Sequence, residues 1–194
     1  PPTLLISSLG IVGNVEKSVS MDTKIPGDLV YVLGVTKNEL GSSEYLASKG
    51  FVGSNVPTVD AEKAIKLYNA LSGAIESGLL ASVHPVGLGG IGVAIAKKCI
   101  AGKLGAKIEL SKFPAAGVDR NDSLLFSESQ SRFVVTIAPQ NKEAFEQAIQ
   151  GTNFAEVGQI SDGNLEIVGL KGEKVVDAQI SALEESYKKT LRDY

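Results

Sequence analysis

SVHPVGLGGIGVAIAKK, residues 82–98, sets a short apolar run, spaced glycines and an apolar helical pattern in immediate succession. A strand running into glycines at a helix start leaves unpaired backbone N–H groups there, and these suit an anion. Gly87, Gly89 and Gly92 stand in the spacing of a dinucleotide-binding fingerprint, and Glu109, at the end of the next strand, is placed to take a ribose hydroxyl. Two other readings stay open on the pattern. The glycines let an apolar helix start tightly against a sheet, or they make a phosphate-contacting helix start in a different fold.

Outward from this stretch, strands and helices interleave. LLASVHPV (79–86) reads as a strand and GGIGVAIAKKCIAG (89–102) as a helix, apolar nearly all round except at Lys97 and Lys98. AKIEL (106–110) is the next strand. Upstream, GIVGNVEKSVSM (10–21) alternates like a strand, and DLVYVLG (28–34) reads as a buried strand. Ser42 or Ser43 caps a short helix through SEYLASKG (43–50). A longer helix starts at Thr58 or Asp60, with Ala61, Ile65, Tyr68, Leu71 and Ile75 as its apolar stripe.

Downstream, RFVVTIA (132–138) is a strand and NKEAFEQAIQG (141–151) a helix. Ser161-Asp162-Gly163 predicts a hairpin turn between AEVGQI and NLEIVG, with EKVVDA as a further strand and the sheet ending in a meander. The last helix, AQISALEESYKKTLRDY, is expected to bury Ile180, Leu183, Tyr187 and Leu191 and to pair Glu184–Lys188 and Glu185–Lys189 on its wet face. This order predicts an α/β (α+β) chain, a mixed sheet layered with helices, as one domain over 1–194.

Composition narrows the function. The 194 residues carry a net charge of −3, and no basic cluster exceeds a Lys pair, which argues against nucleic acid. No apolar run reaches the roughly 20 residues a membrane helix needs. A single Cys forbids an internal disulfide and fits a reducing, cytoplasmic setting, and one Cys with one His excludes a Cys/His zinc site. The chain opens Pro1-Pro2 and its only methionine is Met21, so it is expected to be a domain of a longer polypeptide.

Three segments in order, GDLVYVLGVTKNELGSSEYL (27–46), VHPVGLGGIGVAIAKKCIAGKLGAKIEL (83–110) and LLFSESQSRFVVTI (124–137), resemble the C-terminal, AIR synthase-like type of domain in the phosphoribosylformylglycinamidine synthases. The resemblance implies a three-layer α/β/α sandwich of partly ferredoxin-like character. Residues 1–9 then resemble the junction from a missing N-terminal ATP-binding domain. The activity implied is an ATP- and magnesium-dependent carbon–nitrogen ligase of purine biosynthesis, converting formylglycinamide ribonucleotide to its amidine. The implied partners are the ATP-binding domain, the other synthetase half and a glutaminase. The domain alone is expected to be inactive and to self-associate through a face its partner would cover. A non-catalytic structural half of the synthetase is the alternative, and a dinucleotide-binding oxidoreductase a further one.

The resemblance also nominates residues, as binding rather than catalytic groups and with no metal ligand among them. It assigns substrate contacts to Ser127, Glu128, Ser129 and Gln130, whose carboxylate, hydroxyls and amide suit ribose and amide groups. Arg132 suits a phosphate as a bidentate donor, the alternative being a Glu128–Arg132 pair in water. His84, Gly89 and Gly90 are the remaining candidates, with His84 otherwise a hydrogen-bonded structural residue. Where the family reads His-Asp-x-Ser-Asp-Gly-Gly-Leu, this chain has His84-Pro85-Val86-Gly87-Leu88-Gly89-Gly90-Ile91. Both aspartates are gone, and Lys97 stands where the family is acidic. Cys99, inside an apolar helix, is expected to be an inert thiol.

Overall fold

The computed structural model describes residues 5–189. In chain order its elements are β1 (Leu29–Leu33), β2 (Thr36–Lys37), α1 (Glu44–Ala47), α2 (Ala61–Glu76), β3 (Ser82–Pro85) and α3 (Gly90–Gly102). There follow β4 (Gly105–Glu109), β5 (Ala115–Ala116), α4 (Asn121–Phe126), β6 (Phe133–Ile137) and α5 (Lys142–Ala148). The chain closes with β7 (Phe154–Ser161), β8 (Leu165–Val168), β9 (Lys174–Ala178) and α6 (Ile180–Lys189).

Seven strands form one sheet in the order β3-β6-β1-β7-β4-β8-β9, and β2 pairs with β5 in a small parallel ribbon. β1, α2, β3, β6, α5 and β7 make a ferredoxin-like βαββαβ unit with antiparallel neighbours throughout. The stretch from α3 to α4 is inserted between its second and third strands. It carries β4 across to the far side of β7, where β8 joins β4 in parallel and makes the sheet mixed.

Because β1 is buried on both faces, its five residues read as an apolar run rather than an alternation. Val30 and Val32 face a cluster with Ile91, Ile95 and Leu124, under α3 and α4. Tyr31 and Leu33 face Leu67, Leu71 and Phe145, under α2 and α5. Each such buried side chain contributes about 1.5–3 kcal/mol relative to exposure. Helices thus cover both faces, as the three-layer sandwich requires.

Four expectations are corrected. Residues 10–21 form no strand; Val15–Lys17 is one 3-10 turn capped by Asn14, and Ile11 is 97% exposed. The segment meets the edge strand β3 through a single backbone bond among the described residues, the Ser20 carbonyl accepting the Val83 N–H at 3.0 Å, which is too little pairing to make a strand. The buried stripe of α2 is Ala64, Leu67, Leu71 and Ala74, while Ile65 and Tyr68 are exposed. Both stripes have helical period; the small alanines face inward because they bring the helix axis close to the sheet.

Ser161-Asp162-Gly163 does not close a hairpin, because β4 lies between β7 and β8. Glycines make room for it. A Cβ at Gly158 would stand 1.9 Å from the Lys107 carbonyl oxygen, and one at Gly105 would stand 2.2 Å from that of Gly163. The hairpin is instead formed by β8 and β9. On α6, Ile180 and Leu183 are half-buried against the α3 side and Glu184 pairs with Lys188, but Tyr187 is exposed. Leu191 and residues 1–4 of the expected junction lie outside the described residues.

Candidate functional site

The Ser127-Glu128-Ser129 segment follows α4 and leads into β6. All three side chains are buried, with Ser127 at 0% and Glu128 at 9% exposure. They staple the loop that carries β2. Ser127 Oγ accepts the Glu39 N–H, the Glu128 N–H donates to the Glu39 carbonyl, and Ser129 Oγ accepts the Lys37 N–H at 3.1 Å.

One oxygen of Glu128 serves two helices. Its Oε1 accepts the Gly89 N–H at the start of α3 and the Glu44 N–H at the start of α1, each at 2.9 Å. Helix starts carry unpaired donors and a partial positive charge, so a carboxylate is suited to both. The anion awaited at the glycine cluster is therefore the protein's own side chain. Gly89, at φ +81°, caps α3 without a side chain, and Gly90 (φ +70°) abuts the α4 end. A Cβ on Gly90 would stand 2.6 Å from the Leu125 carbonyl oxygen, so its lack of one lets α3 and α4 touch.

Arg132 is 1% exposed. Its Nε donates to the Ser129 carbonyl (2.8 Å), Nη1 to Thr36 Oγ1 (2.9 Å) and Nη2 to the Ser127 carbonyl (2.5 Å). Burial lowers its pKa to about 10, opposed by the Glu39 and Glu128 carboxylates, so it stays a cation at neutral pH. The guanidinium holds the loop from inside, and no water-exposed Glu128–Arg132 pair exists. Gln130, by contrast, is exposed; its Nε2 donates to the Glu128 carbonyl at 3.0 Å.

His84 lies on β3, half-buried, with no hydrogen bond from its ring among the described residues. Its pKa is lowered, first by burial and then by Lys98 and Lys97, so it is neutral at pH 7. His84 does not join the Glu128 cluster through any hydrogen bond. Lys98, one of the two lysines on the otherwise apolar α3, is buried: its Nζ donates to Ser82 Oγ (2.5 Å) and to the Met21 carbonyl (3.1 Å). Burial drives its pKa down to about 7. Cys99 beside it is 1% exposed with its thiol pushed up to about 12, also by burial, as an inert thiol should be.

The dinucleotide reading fails on topology. β3 and β4, the strands either side of α3, are separated in the sheet by β6, β1 and β7, so no adjacent parallel βαβ unit exists. Glu109 is engaged by Lys112 at 2.7 Å.

Gln130 instead opens onto a cleft of ≈ 520 Å³ at the C-terminal end of β1, which sequence reasoning missed. It is walled by the first half of α2, by Gln130 and Ser131, and by the Gly151–Asn153 turn before β7. Lys37, Lys63 and Lys66 line it. These residues lie far apart in sequence, so no local pattern announces them.

An α/β/α sandwich whose ferredoxin-like unit carries the inserted α3–α4 stretch, with a carboxylate plugging its glycine-rich helix start, defines the class. The chain belongs to the family described as AIR synthase related protein, C-terminal domain, whose model matches residues 26–171. It is 33% identical over 193 residues to the phosphoribosylformylglycinamidine synthase subunit PurL of Caldanaerobacter subterraneus subsp. tengcongensis. The match takes in 98% of this chain and 26% of that protein. PurL of Alkaliphilus metalliredigens is similar to the same degree and extent. The chain thus spans about a quarter of the length of these curated relatives. Among solved structures, Thermotoga maritima PurL complexed with FGAR has the same fold, with a TM-score of 0.76 at 20% identity over 88% of this chain and 30% of that one. E. coli HypE shares it at a TM-score of 0.60 and 17% identity over 83% of this chain and 52% of its own.

Proposed function

We propose that the chain serves as one domain of a phosphoribosylformylglycinamidine synthase, the ligase that uses ATP and glutamine-derived ammonia to convert formylglycinamide ribonucleotide to its amidine. The observation that carries this reading is the 33% identity to PurL across 98% of the chain. The domain contributes no catalytic group of its own. Among the described residues no three His, Cys, Asp or Glu side chains gather to hold a metal. In this reading ATP and magnesium belong to the remainder of the enzyme, which comprises the ATP-binding domain and the other synthetase half, with a glutaminase as partner. A cytoplasmic setting follows from that pathway, and no described helix is long and apolar enough to cross a membrane.

Within this reading the domain is a structural half, a view supported by the geometry of Glu128. A carboxylate spent on two helix starts, and the Ser127 and Ser129 hydroxyls bound to backbone, are scaffold contacts. The exposed Phe51, Val52 and Val59 favour burial against another domain or a second copy.

The test has two arms. The chain alone, given formylglycinamide ribonucleotide, ATP, magnesium and ammonia, should form no amidine; turnover by it would defeat the reading. In the intact enzyme, Gln130→Ala and Glu128→Gln should leave kcat/KM unchanged. A fall by an order of magnitude or more, about 1.4 kcal/mol, would make this copy a substrate site instead.

A further inference from the structure

We propose that residues 18–24 form a strap that opens by itself from α3 and from the outer edge of β3, and that Lys98, buried beneath it, gives up a proton when the strap closes. The proposal goes beyond the ligase reading and stands independently of it.

The strap is seated at few points. The Ser20 carbonyl accepts the Val83 N–H at 3.0 Å, and the Met21 carbonyl accepts from Lys98 Nζ at 3.1 Å. The Thr23 N–H and hydroxyl both donate to the Lys98 carbonyl, each at 3.4 Å. Within the strap only Thr23 is buried. A cleft of ≈ 430 Å³ separates residues 16–20 and 24 from residues 75–78, 80 and 81 at the end of α2, so packing on that side is incomplete. Few bonds and thin packing mark a segment of low local stability. Its fit on α3 depends on a glycine. A Cβ at Gly102 would stand 2.0 Å from Thr23 Oγ1 and 2.3 Å from the Thr23 carbonyl oxygen. Opening leaves the Val83 N–H free on β3, an edge strand of the sheet.

Lys98 couples this movement to a proton. Its Nζ donates to Ser82 Oγ at 2.5 Å, which lies 2.6 Å from Thr136 Oγ1, and no carboxylate pairs with it among the described residues. On the strap, Asp22 is taken by Lys24 at 2.7 Å and by the Ser20 hydroxyl, while Lys24 adds a like charge. β3 contributes His84, α3 contributes Lys97 and Cys99, and β6 contributes the neutral Thr136 hydroxyl. The closed strap therefore shuts in an ammonium without a counter-ion, which is costly. A neutral amine keeps both bonds, donating to the Met21 carbonyl and accepting from the Ser82 hydroxyl. Its pKa is accordingly about 7 when buried, against 10.5 in water. Between these values the open form binds the extra proton, so closure strengthens as the pH rises.

The experiment measures amide hydrogen exchange by NMR on the 194-residue chain, each rate divided by its intrinsic value to give an opening constant. Val83 and Thr23 should open at least about a hundredfold more often than Val32 in the core of β1. Their opening constants should fall about tenfold between pH 6 and pH 8. Lys98→Met should remove that dependence, whereas His84→Gln should leave it in place. Gly102→Ala, which drives a methyl into Thr23, should raise the Val83 opening constant tenfold or more. Strap amides that exchange only together with Val32 would overturn the proposal, as would opening constants flat across this pH range. A pH dependence that survives Lys98→Met, or one lost with His84→Gln, would overturn the role of Lys98. Should Lys98→Met fail to fold, Gly102→Ala still decides, because an unchanged Val83 opening constant there would overturn the strap.

Discussion

Glu128 and Gly89 lie 39 residues apart, yet the carboxylate of the first accepts the backbone N–H of the second at 2.9 Å, inside the protein. The same oxygen takes the Glu44 N–H. One side chain thereby ties α4, α1 and α3 together.

Glu128→Ala should be among the most destabilising polar changes in the chain. It leaves the buried Gly89 N–H without an acceptor, at about 1–3 kcal/mol, and the half-buried Glu44 N–H to be satisfied by water at a smaller cost. Glu128→Gln keeps a neutral acceptor and should cost about half as much or less. Urea denaturation of the two variants beside the parent measures both.

Gly90→Ala should impair folding while Gly87→Ala does not. At Gly90 a Cβ meets the Leu125 and Ser127 carbonyl oxygens at 2.6 and 2.7 Å on a backbone at φ +70°, whereas at Gly87 it meets nothing within 4 Å. Strain of this kind costs on the order of 1–3 kcal/mol before the clash is added. Soluble yield and Tm separate the two.

Arg132→Lys should lower stability by about 2–4 kcal/mol, because an ammonium cannot reach the Ser129 carbonyl, Thr36 Oγ1 and Ser127 carbonyl at once. Equilibrium denaturation checks it, and a change within about 0.5 kcal/mol would contradict the role assigned to the guanidinium.

Lys98 makes stability rise with pH just above neutrality. Its folded pKa, about 7, lies below the ordinary lysine value of 10.5, so between these values the unfolded chain binds the extra proton and ΔG of unfolding increases with pH. Below pH 7 the contribution is flat and unfavourable. Cys99, with its folded pKa raised from 9.0 to about 12, opposes the trend above pH 9. Denaturation between pH 7 and about 8.5 should therefore show a positive slope that Lys98→Met abolishes.

Legibility followed the range of the interaction. β1, β6, α3 and the caps Ser43 and Asp60 were readable because each depends on residues within a turn or two. The hairpin after β7 was misread because Ser161-Asp162-Gly163 is sound local turn chemistry, while the insertion of β4 depends on Gly105 and Gly158 meeting backbone from elsewhere. The burial of Lys98 was not legible, because it depends on Ser82 and on the Met21 carbonyl, 77 residues away.

The glycines of residues 82–98 and the acidic, hydroxyl-bearing segment before β6 were both visible as motifs, and with the element order they determined the family and the layered α/β architecture. What they do was decided only in three dimensions. Hydrogen bonds are satisfied by whatever the fold brings within 3 Å, and here it brought Glu128 to Gly89 and turned Arg132 inward. That left Gln130 at the edge of a lysine-lined cleft assembled from β1, α2 and the Gly151 turn.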